Sequence, residues 1–333
     1  HPLQPFSKRY FDGSAGLFSY AEEMLPPEAA AGRETPPLFE VALDAPEPGD
    51  LPLGQLVDFL ANPARALLKG RLNISLESGA ALMPVREPMA LDARGRRALE
   101  RDALAAQMSE EEAGFFVERS RLGGGLPSGT PGVLAAQRAW TEAVPVMAHL
   151  APLLDGEPGK PVAVETEVGG WRLNAVLENV GPKGQVLWSV DALSPWVMLR
   201  AWCAHLLLNS DASAPSHHTH LVDVEGVVSF LPEEDAVSTL HELVGLYREG
   251  LCRPLPFFPR SAWAYVSAAK TPLANAYRTW AGSEHASAVG ESADPFFALA
   301  FRDRLDTVLD SEFESLASLV FGVPAHTVRE ARG

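Results

Sequence analysis

Cysteine, positive charge and long apolar runs are what this 333-residue sequence has least of. Its two cysteines, Cys203 and Cys252, each lie in an apolar stretch that reads as helix, and neither belongs to a C-x-x-C pair or another metal-ligand spacing. Free cysteine commonly packs as a small apolar residue, so both are expected to be ordinary thiols in a reducing, cytoplasmic compartment; one disulfide between them is the alternative. Basic residues number 27 against 43 acidic ones, a net charge of −16. That balance excludes a basic DNA-coating protein, because the average field repels phosphate unless positive residues gather locally. No apolar run approaches the ~20 residues that span a bilayer, and no charged-then-apolar segment opens the chain, so it is expected to be soluble and unexported as written. A fixed-period repeat is also missing, which sets aside solenoids and propellers.

What is present is apolar content of 47%, enough for one large core or two ordinary ones and incompatible with wholesale disorder. The opening His1-Pro2-Leu3-Gln4-Pro5-Phe6 reads as a loop arriving from elsewhere, as in a fragment of a longer chain. Through residue 50 the sequence is rich in proline, glycine and acid, and Pro26-Pro27, Pro36-Pro37 and Pro46-Glu47-Pro48 forbid a long helix. The expectation is an extended arm over 1–50, pinned in places by Phe6, Tyr10, Phe11, Phe18 and Tyr20.

From Leu53 a helical stripe runs through Leu56, Phe59 and Leu60, breaks at Asn62-Pro63, and resumes through Ala66, Leu67 and Leu72. Ala90 to Met108 and Val133 to Leu154 read as further helices, separated by a loop containing Gly123-Gly124-Gly125 and Pro127 to Gly132. These make a helical subdomain over 51–155. Beyond Pro161 the period becomes two: Val162 to Val168, then Trp171 to Leu177, then Gln185 to Val190 after a Gly181-Pro182-Lys183-Gly184 turn, which together predict a three-stranded meander. A helix from Ser194 to Leu208, strands at Thr219 to Val224 and Val227 to Leu231, and a helix opened by Pro232-Glu233-Glu234-Asp235 follow. Helical stretches at Ser261 to Ala281, Pro295 to Leu309 and Ser311 to Phe321 complete an α/β core with C-terminal helices over 156–333.

A helical lead-in, three antiparallel strands, a helix and further strands resemble the PD-(D/E)xK restriction-endonuclease-like core, a mixed sheet flanked by helices. More specific strings resemble the RecC family, the gamma subunit of exodeoxyribonuclease V: His1 to Ser7 with Tyr10-Phe11, Leu17-Phe18-Ser19-Tyr20, Tyr247-Arg248-Glu249-Gly250-Leu251, Pro254-Leu255-Pro256-Phe257-Phe258-Pro259, Ser261 to Tyr265, and Asp294-Pro295 before Phe301-Arg302. The stretch Leu56 to Leu72 is also similar to the helical entry of RecB-type nuclease modules, with Asn62 where a cysteine commonly stands.

A nuclease of that class needs carboxylates on adjacent strands to hold a hard divalent cation, and a lysine beside the attacking water. Laid on this chain, the resemblance puts the second-strand aspartate position at Asn174 or Ala175, the next acid at Ser189 and the lysine at Asp191. The implied site is degenerate: no catalytic residue, no metal and no cofactor are expected.

Other constellations have bland readings that outweigh the chemical ones. His217, His218 and His220 suggest a metal cluster, but lack a completing cysteine or carboxylate and are expected on an exposed loop. Glu165 and Glu167 alternate along one strand, as a solvated face does. Arg94, Arg96, Arg97 and Arg101 are interleaved with Asp92, Glu100 and Asp102, which suits a salt-bridged outer helix face better than a phosphate site. The three glycines at 123 to 125 lack the Lys-Ser or Lys-Thr of a nucleotide-binding loop. Phe257, Phe258, Trp263 and Tyr265, with Arg260, form a possible partner or DNA contact; their flanking prolines favour a packed corner over base stacking.

The resemblance implies a noncatalytic module of the RecBCD helicase/nuclease, with RecB-type and RecD-type subunits and DNA as partners and no membrane, acting in assembly and in splitting and guiding strands during double-strand-break recombinational repair. Its rivals are an active metal-dependent nuclease whose acids have moved to Glu165, Glu167 and Asp191, and a scaffold that never touches DNA.

Overall fold

The computed structural model describes residues 7–11, 16–19, 36–76, 90–154, 159–283 and 288–332. The opening string His1 to Phe6 and Tyr20 lie outside the described residues, as do Pro26-Pro27. Of the arm, Leu38 and Phe39 pack on the main core, the Leu43 amide donates to the Cys252 carbonyl at 2.8 Å, and Arg302 Nε donates to the Pro36 carbonyl at 2.8 Å. Phe18, expected to be pinned, is 67% exposed.

Strand β1 (Asp50–Pro52) leads into α1 (Leu53–Ala61), whose Leu53, Leu56, Val57, Phe59 and Leu60 are buried. Asn62 then ends one helix and starts the next. Its side-chain oxygen accepts from the Arg65 amide at 2.8 Å, and Pro63 opens α2 (Pro63–Arg65), which runs on as a π-helical turn over Ala66–Arg71. Three helices follow: α3 (Ala93–Met108), α4 (Ala113–Leu122) and α5 (Thr130–Leu154). Of these, α4 has no counterpart in the sequence reading, because it buries only Phe116 and so carries no periodic stripe.

The meander is as expected. Strands β2 (Lys160–Val168) and β3 (Trp171–Gly181) pair antiparallel, and β3 pairs antiparallel with β4 (Gly184–Trp188). Helix α6 (Pro195–Asn209) crosses over to β5 (Thr219–Asp223), which lies parallel to β4 and antiparallel to β6 (Gly226–Phe230). With β1 added parallel to β3, the result is one six-stranded mixed sheet.

Helices α7 (Ala236–Gly250), α8 (Pro259–Val266) and α9 (Pro272–Ala281) come next, followed by a short ribbon of β7 (Gly282–Ser283) and β8 (Ala288–Val289), then α10 (Pro295–Ala300) and α11 (Ser311–Arg332). The sequence pattern suggests one helix over Ser261 to Ala281. It is two, because Thr271 adopts a left-handed φ of 50° and Pro272 restarts the helix where its missing N–H costs nothing. The acids at 233–235 likewise precede α7 rather than forming its first turn.

Both faces of β4 and β5 are covered, and side chains alternate between two cores as the pleat requires. Leu187 and Leu221 point into the large core shared with α1, α6, α7, α8 and α11; Val186, Trp188 and Val222 point into a second core built with α3, α4 and α5. Residues 53–68 pack in the large core, with their apolar stripe facing α6 and α7.

The family-like strings are packing corners. Tyr247 meets Phe59 and Trp171 edge-on, with centroids at 5.2 and 5.4 Å, and its hydroxyl accepts from Gln55 Nε2 at 2.6 Å. Gly250 sits against the Phe59 ring with no room for a Cβ. Phe258 is wholly buried among Trp280, Phe297, Phe301 and Phe313, with centroids 4.2 to 6.1 Å away. Phe258→Ala is expected to lower unfolding stability by ~3–5 kcal/mol in urea titration; a drop below ~1 kcal/mol would show that the aromatic cluster closes over the gap.

Candidate functional site

Of the three positions that the resemblance singles out, Ser189 and Asp191 follow the end of β4 in the loop before α6, whereas Asn174 lies within β3. Pairing between β3 and β4 is confined to Val180↔Gln185 and Gly181↔Gly184. Further along β3, Asn174 has β2 on one side, opposite Glu165, and β1 on the other, opposite Pro52. Its side-chain nitrogen donates to the Arg172 carbonyl at 3.1 Å. Ser189 is tied instead to β5: its amide donates to the Val222 carbonyl at 2.9 Å, and its hydroxyl accepts from the Asp191 amide at 3.3 Å. Asp191 forms an ion pair with Arg97 Nε of α3 at 2.7 Å. A hydroxyl, an amide and one carboxylate already paired with a guanidinium thus stand at the three positions. Among the described residues, no group of three or more His, Cys, Asp or Glu side chains is arranged to hold a metal ion.

Asp223, at the end of β5, escaped the sequence reading. It is wholly buried. Its Oδ1 accepts from the amides of Glu225 and Gly226 at 2.9 and 3.1 Å; its Oδ2 accepts from the Leu193 amide at 3.2 Å and from Arg332 Nη2 at 2.6 Å. Four donors, one of them cationic, saturate this carboxylate and leave it no lone pair aimed at a cation. The cue in the sequence is an acid two residues before Glu225-Gly226, the pattern of a side chain closing its own hairpin turn.

Beside Asp191 lies a second acidic group of a different kind. Glu100 of α3, expected on an outer salt-bridged face, is 5% exposed and sits between α3 and α5. Burial, and a hydrogen bond from its carboxyl to Glu142, raise its pKa from the ordinary 4.5 to about 7, against the pull of Arg96 at 3.4 Å. Glu142 keeps a lowered pKa through Arg138, whose Nε donates to it at 2.7 Å. Of the other α3 residues, Asp92 caps the helix by accepting from the Gly95 amide, Arg101 Nε donates to the Arg97 carbonyl, and Arg94 and Asp102 are exposed.

The remaining candidates are dispersed. Glu165 and Glu167 are exposed on β2, opposite Asn174 and Arg172, and Arg172 is paired with Asp50 at the sheet edge. The three histidines are half-buried rather than on an exposed loop, since His220 belongs to β5 and the preceding segment packs against the sheet. His217 Nε2 bonds the Asp211 carbonyl at 3.0 Å, His218 Nδ1 lies 3.4 Å from Ser216 Oγ, and His220 bridges Ser229 Oγ and the Lys183 carbonyl. The His218 and His220 rings also stack, with centroids 6.3 Å apart. Cys203 is buried and Cys252 half-buried, and both are free thiols.

In the proline-aromatic corner, Phe257 and Phe258 are 1% and 0% exposed, so neither reaches a base in the folded chain. Trp263 packs edge-on against Phe321, and Tyr265 donates its hydroxyl proton to Glu314 at 2.6 Å. Glu291, nearly buried, accepts from the amides of Arg260 and Ser261 and from the Ser261 hydroxyl, which caps α8. The Arg260 side chain stays exposed.

A family profile described as the RecC C-terminal domain matches residues 48–270. The chain is 28% identical over 269 residues to the RecBCD enzyme subunit RecC of Escherichia coli (strain K12), an alignment covering 80% of this chain and 23% of that protein. It is 28% identical over 289 residues to the RecBCD enzyme subunit RecC of Mycobacterium tuberculosis (strain CDC 1551 / Oshkosh), covering 80% and 26%. The chain thus spans only about a quarter of the length of these curated relatives.

Glu100 gives the α3–α5 contact a pH signature. Its folded pKa lies above its unfolded one, so the stability tied to its neutral form is complete below pH 4.5 and disappears as pH rises to about 7. Glu100→Gln keeps a donor for Glu142 and removes the titration. Its melting temperature is expected to match wild type at pH 4.5 and to exceed it by a few degrees at pH 8; an equal gain at both pH values would assign the effect to packing instead.

Proposed function

Because the chain belongs to the RecC C-terminal domain family, we propose that it serves as a noncatalytic, nuclease-like module of a RecC-type subunit, working in the assembly of a RecBCD-type complex and in splitting and guiding DNA strands during double-strand-break repair. The order α1, β2, β3, β4, α6, β5, with the first three strands antiparallel and β5 parallel to β4, supports kinship with the PD-(D/E)xK core. In this reading α3 to α5 are an addition carried on the sheet's second face, and residues 36–50 belong to an arm.

The observation that carries the noncatalytic reading is the state of Asp191. It stands where the family pattern has a lysine, has the opposite charge, and is bound to Arg97. Hydrolysis by this class needs converging anions to hold the metal and a cation donor by the water. Here Asn174 and Ser189 supply neither charge, and Asp223 spends its lone pairs on protein donors. The rival site at Glu165, Glu167 and Asp191 has its glutamates exposed on β2 and its aspartate engaged by α3. RecB-type and RecD-type subunits and DNA are the proposed partners, in the cytoplasm, with no cofactor; no helix among the described residues is long and apolar enough to cross a membrane.

The test is cleavage of forked and single-stranded DNA by the full chain with magnesium or manganese, beside Asp191→Ala. Expected is no cleavage above a metal-free blank for either protein. Cleavage that the substitution abolishes would overturn the reading and establish a relocated active site. A companion binding assay with RecB-type and RecD-type subunits is expected to recover a complex; failure to do so would remove the assembly role.

A further inference from the structure

A cavity of about 480 Å³, wide open to solvent, lies between α8, α9 and the β7–β8 ribbon, lined in part by Arg260, Ser267, Asn275, Arg278 and Thr279. We propose that it holds one nucleotide unit of a single DNA strand, with the phosphate between Arg260 and Arg278. The inference rests on the strand-guiding reading above and assigns that reading a point of contact.

The charge of the cavity is the first argument. In a chain of net charge −16, its lining residues among the described ones are all neutral or basic. Neither guanidinium forms an ion pair among the described residues: Arg260 Nη2 donates to the Val289 carbonyl at 3.2 Å, and Arg278 donates to the Asn275 side-chain oxygen. Each therefore keeps several N–H donors free. Glu291, whose oxygens accept from the backbone amides at the start of α8 and from Ser261, feels the Arg260 charge but forms no ion pair with its guanidinium.

Size and chemistry supply the rest. Planar guanidinium forks match phosphate oxygens better than point charges do, and two of them flank a phosphodiester from either side. Ser267 Oγ, buried in the wall, has no hydrogen-bond partner, and the Thr279 hydroxyl donates to the Asn275 carbonyl while retaining acceptor capacity. Ala264, Ala268 and Val289 complete the lining with small apolar surface suited to a sugar or base. The volume is that of a small-molecule pocket, ~300–1,000 Å³, larger than a single carboxylate side chain fills.

The measurement is fluorescence anisotropy of a labelled twelve-nucleotide oligo-dT with the full chain, for wild type, Arg278→Gln, Arg260→Gln with Arg278→Gln, and Arg329→Gln as a surface control on α11. Expected is binding weakened about tenfold by the double substitution, with a salt slope shallower by ~0.7 for each phosphate that no longer meets a guanidinium, and no change for the control. Unfolding curves of the variants should overlay wild type, because both side chains lie at the surface. Wild-type affinity in the double variant would overturn this site alone. No oligonucleotide binding by wild type would overturn the site and the strand-guiding reading together. Binding of dTMP as tight as the oligonucleotide would also overturn it, assigning the cavity to a free nucleotide.

Discussion

Beyond its first turns, where Trp196 and Arg200 meet solvent, helix α6 has almost no face that water tolerates, and the fold is arranged to enclose it. From Met198 to Leu208 nearly every side chain is buried, so the helix must be walled on all sides rather than along one stripe. The sheet supplies the floor through Val164, Leu173, Leu177 and Leu221; α1, α7, α8 and α11 supply the walls. Its one buried polar ring, His205, is kept neutral by desolvation, which lowers its pKa to about 4, and bonds Thr219 Oγ1 at 3.0 Å. The aromatic corner around Phe258 and the Tyr247 sandwich are the outer courses of the same wall.

That requirement explains which parts of the fold are legible in the sequence. Elements facing the α6 core carry strong periodicity: Leu53 to Leu60, the alternation of Val162 to Leu177, and the stripe from Val237 to Leu251 each reveal element and inner face, although Val237 itself proves exposed. Elements at the margin do not. Helix α4 buries one phenylalanine, and the break at Thr271-Pro272 depends on a left-handed backbone that no apolar pattern announces. The membership of α1 and α2 in the large core is hidden because periodicity tells which face is buried, not against what.

The candidate site is legible in its residue types and illegible in its contacts. Asn174, Ser189 and Asp191 stand out once the proposed family pattern is laid over the strands, since charge and residue type alone set them apart from that pattern. The contacts around them are long-range pairs: Arg97 with Asp191, and Arg332 with Asp223, 109 residues apart. Glu100 shows the same limit, because its interleaving with arginines reads as surface while its actual neighbour is another carboxyl on α5. The arginines of the α8–α9 cavity come from two helices that the sequence presents as one.

Asp223 joins three segments that are distant in the chain: the loop before α6 through the Leu193 amide, the β5–β6 hairpin through Glu225 and Gly226, and the end of α11 through Arg332. One carboxylate is thereby a latch. Taking the Arg332 guanidinium away would leave a buried anion without its cation, a cost felt at the one group that also holds the loop leading into α6. The end of α11 and the loop that follows Ser189 and Asp191 are thus anchored to a single buried group.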